Sequence, residues 1–134
     1  MRVHAITAAV AAGIAAGTLG APGAALAEGE VNIYSARHYQ SDETLYDEFT
    51  ERAGIEVNRI QGKSDALIQR IESEGRNTPA DVLITVDAGR LWRAENEGFF
   101  ASIESESLND RIPANLRHPD GEWFGFSTRA RIIL

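Results

Sequence analysis

The sequence predicts an α/β fold, doubly wound around a mostly parallel sheet, and three observations carry that expectation. Short apolar or alternating runs at residues 31–35, 55–60 and 81–86 have the length and β-branched content of strands. Each is followed by a stretch whose apolar residues recur at three- or four-residue spacing, the period of an amphipathic helix. The resulting order, strand and helix three times over, is what parallel strands joined by right-handed crossovers produce.

The elements follow in order. Val31-Asn32-Ile33-Tyr34-Ser35 opens the sheet, and residues 36–40 form a loop. Ser41 stands where an N-cap belongs, with Asp42 and Glu43 in the first turn to complement the helix dipole. Leu45, Phe49 and Ala53 make an apolar stripe expected to face inward, and Gly54 supplies the left-handed stop. Residues 55–60 alternate with period two, as in a half-buried strand. Gln61-Gly62-Lys63 turns, Ser64 is expected to cap the second helix, Leu67, Ile68 and Ile71 form its inner face, and Gly75 ends it. Residues 81–86 are nearly all apolar, the pattern of a strand covered on both faces. Asp87 can cap a third helix carrying Leu91, Trp92 and Ala94 and closed by Gly98. Trp92 and Trp123 are expected to pack in the core or at its edge. The chain then reads as irregular through Gly121, and strand character returns at residues 123–126 and 129–134.

Residues 1–27 stand apart. They hold no Asp or Glu, carry Arg2, run through Ala, Gly and Leu, and end in Ala25-Leu26-Ala27, a small-x-small exit. That is expected to be a secretory signal peptide removed before Glu28. The stretch is about long enough for a membrane anchor, but Pro22 and its Ala/Gly content argue against a stable span. Without Arg2, 12 basic residues face 20 acidic ones, a charge of −8 that argues against nucleic acid and anionic membranes as partners. With no cysteine there is no disulfide framework, thiolate metal site or Cys nucleophile. Any bound metal is held by oxygen and imidazole. Ile132-Ile133-Leu134 reads as the first half of a buried strand, so the sequence is expected to be truncated there.

Ligands of open α/β sheets sit beyond the carboxyl ends of the strands, which selects residues 35–40, 61–64 and 85–89. His38 and Tyr39 lie side by side in the first of these. Imidazole is a common metal ligand, and a phenolate suits a hard, highly charged cation such as ferric iron, where Mg²⁺ or Ca²⁺ more often takes carboxylates. A loop His or Tyr is more often a surface or packing residue, so the dipeptide alone does not establish a metal site.

An ordered set of segments resembles the bacterial periplasmic ferric-iron-binding proteins that serve ABC iron importers. They are residues 31–39 (VNIYSARHY), 45–54 (LYDEFTERAG), Gly62-Lys63-Ser64-Asp65, Glu72-Ser73-Glu74-Gly75, 79–92 (PADVLITVDAGRLW) and 124–133 (FGFSTRARII). The resemblance implies a periplasmic-binding-protein-like lobe over residues 28–128, with 129–134 starting a hinge strand toward a missing second lobe. It implies a periplasmic, non-enzymatic monomer that captures Fe³⁺, with or without a synergistic anion, for a permease in the inner membrane. His38 and Tyr39 match an imidazole–phenolate pair of one branch of the family. Another branch adds a carboxylate, but Asp87 does not align with it and stays outside the ligand set. Tyr34, in a strand, and Tyr46, on a helix, do not replace the tyrosines of the absent lobe. Arg129 and Arg131 alternate along the hinge strand, so one of them is expected to hold an anion near the metal; pairing with the many acids is the other reading. His118, in a turn, is expected to be exposed. Two further readings remain: the same fold binding a polyamine, thiamine or an anion, or a secreted hydrolase. The hydrolase finds no G-x-S-x-G, H-E-x-x-H or P-loop motif in support.

Overall fold

The computed structural model describes residues 29–128. The expected signal peptide, Arg129, Arg131 and the rest of the expected hinge strand lie outside the described residues. Three parallel strands, β1 (Gly29–Ser35), β2 (Ile55–Gln61) and β3 (Val82–Ile84), form one sheet in the order β2-β1-β3. Helices α1 (Ser41–Ala53) and α2 (Ser64–Glu74) follow β1 and β2, α3 (Ala88–Asn96) follows β3, and a short α4 (Glu106–Arg111) lies beyond. The α/β architecture expected from the strand–helix alternation is present.

Register shows why the sheet is covered on both sides. Ile33 of β1 pairs with Arg59, and Tyr34 with Ile60; residues directly opposite in a ladder share a face. Arg59 forks onto Glu43 of α1, and its guanidinium lies 4.8 Å from the Tyr46 ring centroid. Tyr34 packs with Leu67 and Ile71 of α2, together with Ile60 and Leu83. The two helices therefore occupy opposite faces, as a doubly wound sheet requires. Tyr34 is 1% exposed, and its hydroxyl donates to Glu74 at 2.8 Å, so this tyrosine is committed to the core. Burial, followed by the Glu74 contact, raises its pKa.

Several sequence expectations need correction. Leu45 and Phe49 are 62% and 43% exposed, and α1 has no buried residue. Its inward line runs instead through half-buried Glu43, Tyr46, Thr50 and Ala53, because the Arg59 contacts fix which side of the helix meets β2. Residues 81–86 yield only the three-residue β3, with Val82 41% exposed. Among the described strands β3 lies at the edge with one neighbour, and Val86 falls beyond its end. Ser41 and Ser64 are first helical residues rather than caps, the helices starting one residue earlier than the Ser pattern suggests; Gln40 and Lys63 precede them, with no side-chain cap bond. Trp92 is 65% exposed and stands outside the core, while Ala94 of the same helix is fully buried. Residues 123–126 form no strand; Phe124 makes a single antiparallel bridge with Arg117.

That bridge belongs to a compact return of the chain. His118 N–H donates to Trp123 O at 2.9 Å, Gly125 N–H to Leu116 O at 2.7 Å, and Ile103 N–H to Gly121 O at 3.1 Å. Gly121 has φ 74°, and any Cβ there would collide with the Ile103 carbonyl oxygen, so only glycine fits. Trp123 Nε1 donates to Glu95 Oε2 at 2.7 Å, tying this segment to α3.

Candidate metal-binding cleft

The carboxyl ends of β1 and β2 open into a cleft of about 630 Å³. Its walls come from the loop after β1 (Arg37, His38), the turn after β2 (Gly62, Lys63), the start of α2 (Ser64, Asp65) and Arg90 of α3. Two of the three loops that strand polarity selects thus meet in one place, with Val86 as the contribution after β3. Gly62 N–H donates to Ser35 O at 3.1 Å, which sets the first two side by side.

The loop carrying His38 and Tyr39 is held at both ends. Ala36 N–H donates to Ile84 O at 2.9 Å, and the buried Ser35 hydroxyl accepts Arg37 N–H at 3.1 Å. On the far side Asp42 N–H donates to Tyr39 O at 3.0 Å, turning the chain into α1. Across the loop, Arg37 forks onto Asp42, Nε to Oδ2 and Nη2 to Oδ1, each at 3.0 Å. The guanidinium holds the Asp42 carboxyl below the usual carboxylate range, and the Arg37 pKa is raised in return.

Between these anchors His38 and Tyr39 project outward. Both are exposed, and their rings stack with centroids 5.6 Å apart and planes 17° apart. The Arg37 guanidinium lies 5.1 Å from the Tyr39 centroid, within cation–π range. His38 lines the cleft, whereas Tyr39, 54% exposed, stands beside it at the rim. An imidazole nitrogen and a phenol oxygen are thereby presented together to solvent at the cleft mouth. Such a pair offers two donors for a hard cation and leaves its other coordination positions open.

Asp87, excluded from the ligand set, caps α3: its Oδ1 accepts Arg90 N–H at 3.0 Å, and this contact lowers its pKa. His118 departs from expectation. Its side chain is 17% exposed, because it packs on Trp123 (centroids 5.9 Å apart) with Nε2 3.5 Å from Glu95 Oε1. Glu95, His118 and Glu122 bring ligand atoms within 4.8 Å of one another. His118 Nδ1 accepts Asp120 N–H at 3.2 Å, however. The ring proton then belongs on Nε2, facing Glu95, whose other oxygen accepts from Trp123, so this cluster reads as a fastening of the return to α3 rather than a metal site. Arg37 and Ser64 fall within the loops that strand polarity selects but are not singled out by it, and Arg90 lies one residue beyond the third loop. The available signal was Arg37 with an acid five residues on, and a Gly-Lys-Ser turn leading into a helix.

The lobe winds α/β units around a parallel sheet and opens a cleft at its strand ends, where open α/β sheets take their ligands. The chain is homologous to iron uptake and ferric-binding proteins. It is 57% identical over 105 residues to iron uptake protein A1 of Synechocystis sp., covering 78% of this chain and 29% of the relative. Its fold matches the Trichodesmium protein IdiA (FutA) in complex with iron and citrate ligands, with TM-score 0.71 and 59% identity over 73% of this chain and 31% of that one. It also matches the ferric binding protein from Campylobacter jejuni, with TM-score 0.68 and 47% identity over 70% of this chain and 30% of that one. The chain thus spans about 30% of the length of these relatives. No family model matches it.

Proposed function

We propose that this chain forms the first lobe of an extracytoplasmic solute-binding protein that captures ferric iron and delivers it to an ABC permease in the inner membrane. His38 and Tyr39 supply an imidazole nitrogen and a phenolate oxygen to the ion. Residues 28–128 make the lobe, and 129–134 lead toward a second lobe that completes the ligand set and closes over the metal. Residues 1–27 direct export and are removed. The protein acts as a monomer and performs no covalent chemistry.

The observation that carries this reading is the stacked His38–Tyr39 pair at the mouth of the strand-end cleft, in a chain homologous to iron uptake proteins. A phenolate bound to Fe³⁺ gives a visible charge-transfer band, which makes the assignment directly testable. Ferric titration of the full-length protein should produce that band, and Tyr39→Phe should weaken it. Outer partners of metal ligands are worth about 10–100-fold in affinity, and a direct ligand at least as much. Tyr39→Phe should therefore weaken ferric binding by at least about tenfold. Unchanged affinity and an unchanged band would remove Tyr39 from the site.

A further inference from the structure

Two guanidiniums line a cleft proposed to take a trivalent cation, and carboxylates face both of them. Arg90 pairs with Asp65 at 3.0 Å and with Asp87. Arg37 is the one that lies against the ligand pair. Its guanidinium carbon is 5.1 Å from the Tyr39 ring centroid, and its fork holds Asp42 through two bonds of 3.0 Å. A cation over an aromatic face is attracted to the ring. The same cation repels a ferric ion bound through that ring's oxygen.

Arg37 is fixed at both ends. Its backbone is tied to the end of β1, where the buried Ser35 hydroxyl accepts Arg37 N–H at 3.1 Å and donates to Arg37 O at 3.2 Å. Its head is tied to the first turn of α1, and there Asp42 N–H donates to Tyr39 O at 3.0 Å. The side chain thus braces the loop, with the Tyr39 ring against it. Asp42 does more than close this brace. Its side chain is only 15% exposed, so water and salt screen its charge poorly. Helix-dipole complementarity alone does not require it, because Glu43 stands in the same turn, paired with Arg59.

We propose that Arg37 and Asp42 form a charge-balanced positioning pair for the metal site, in which the guanidinium orients the Tyr39 ring and the carboxylate cancels a positive charge that would otherwise repel the ferric ion. Neither residue is a ligand. The pairing accounts for an arginine beside a ligand in a cation-binding cleft: matched by Asp42, it keeps its planar hold on the ring and presents no net charge to the cargo. This deepens the ferric reading and rests on it.

The test is ferric titration of the full-length protein against citrate as a competing chelator, at low and at high ionic strength, with the phenolate charge-transfer band recorded throughout. Asp42→Asn keeps the shape of the side chain and an acceptor for Arg37 and removes the charge. It should weaken ferric binding about tenfold at low salt, the scale of an outer partner of a metal ligand, and by less at high salt. Asp42→Glu restores the charge at the expense of the fork geometry and should recover most of that loss. A purely structural brace predicts the opposite order, with Asn the better substitute. Arg37→Gln should move the band to longer wavelength, because a cation beside a phenolate lowers its filled orbitals and raises the transition energy. Asp42→Asn binding iron as tightly as wild type at low salt, or as tightly as Asp42→Glu, overturns the charge-balancing role. An unmoved band in Arg37→Gln overturns the action of Arg37 on Tyr39. Absence of the band in the wild-type protein overturns the ferric reading itself, and this assignment with it.

Discussion

Arg37 fastens the loop that carries His38 and Tyr39, lying over the Tyr39 ring and pairing with Asp42 at the start of α1. Its planar fork matches the Asp42 carboxylate bidentately, the geometry in which an ion pair contributes most. Because the folded-state pKa of Asp42 is lowered, its contribution is present above the unfolded value of about 3.9 and is lost as pH falls through the folded value. Asp42→Asn should cost about 1 kcal/mol at pH 7, and the gap should narrow below about pH 4 and close only once pH is below the lowered folded-state value. Thermal midpoints at pH 7 and pH 3 check this; an equal gap at both would deny the charge any role. At this scale the sequence was legible where one residue carries the signal alone. Asp87 announced itself as a cap and is one. His118 was misread because its burial depends on Glu95 and Trp123, which no local pattern joins to it.

Helices show both the reach and the failure of periodicity. In α2 the apolar line Leu67, Ile68 and Ile71 is the buried face. In α1 two lines compete, and Arg59, a residue of another element, selects the polar one. A charged side chain that covers an aromatic ring can turn a helix away from its most apolar stripe, and composition alone does not foresee it. α4, with six residues, is too short for any period to register, although Ser105 caps it by accepting Leu108 N–H at 3.3 Å. The cap of α3 makes the sharpest prediction here. Asp87→Ala should destabilise the protein by about 1 kcal/mol and Asp87→Asn by less, read by chemical denaturation. Neither should alter the ferric charge-transfer band; a lost band in Asp87→Asn would return this carboxylate to the ligand set.

For the whole molecule, the three strand–helix units were legible, but the expected strand at 123–126 is absent and strand order was not legible, because nothing local says which strand a crossover returns to. The order β2-β1-β3 also explains the candidate site's two-sided support: β1 and β2 end together, and their loops share the cleft. The edge position of β3 leaves Val82 exposed where the sequence reads as covered on both faces. Among the described residues only Ile33, Tyr34 and Ser35 have ladder partners on both sides, Arg59, Ile60 and Gln61 on one and Val82, Leu83 and Ile84 on the other. Their amides should be among the slowest to exchange with solvent deuterium, far slower than those of α4, because releasing them requires the sheet itself to part. Equal exchange in β1 and α4 would contradict that hierarchy. The loop bearing His38 and Tyr39 grows directly from this most tightly held stretch. The ordering entropy of the loop's root is therefore met when the chain folds, and under the proposed ferric reading the two ring side chains are what this loop would still have to immobilise.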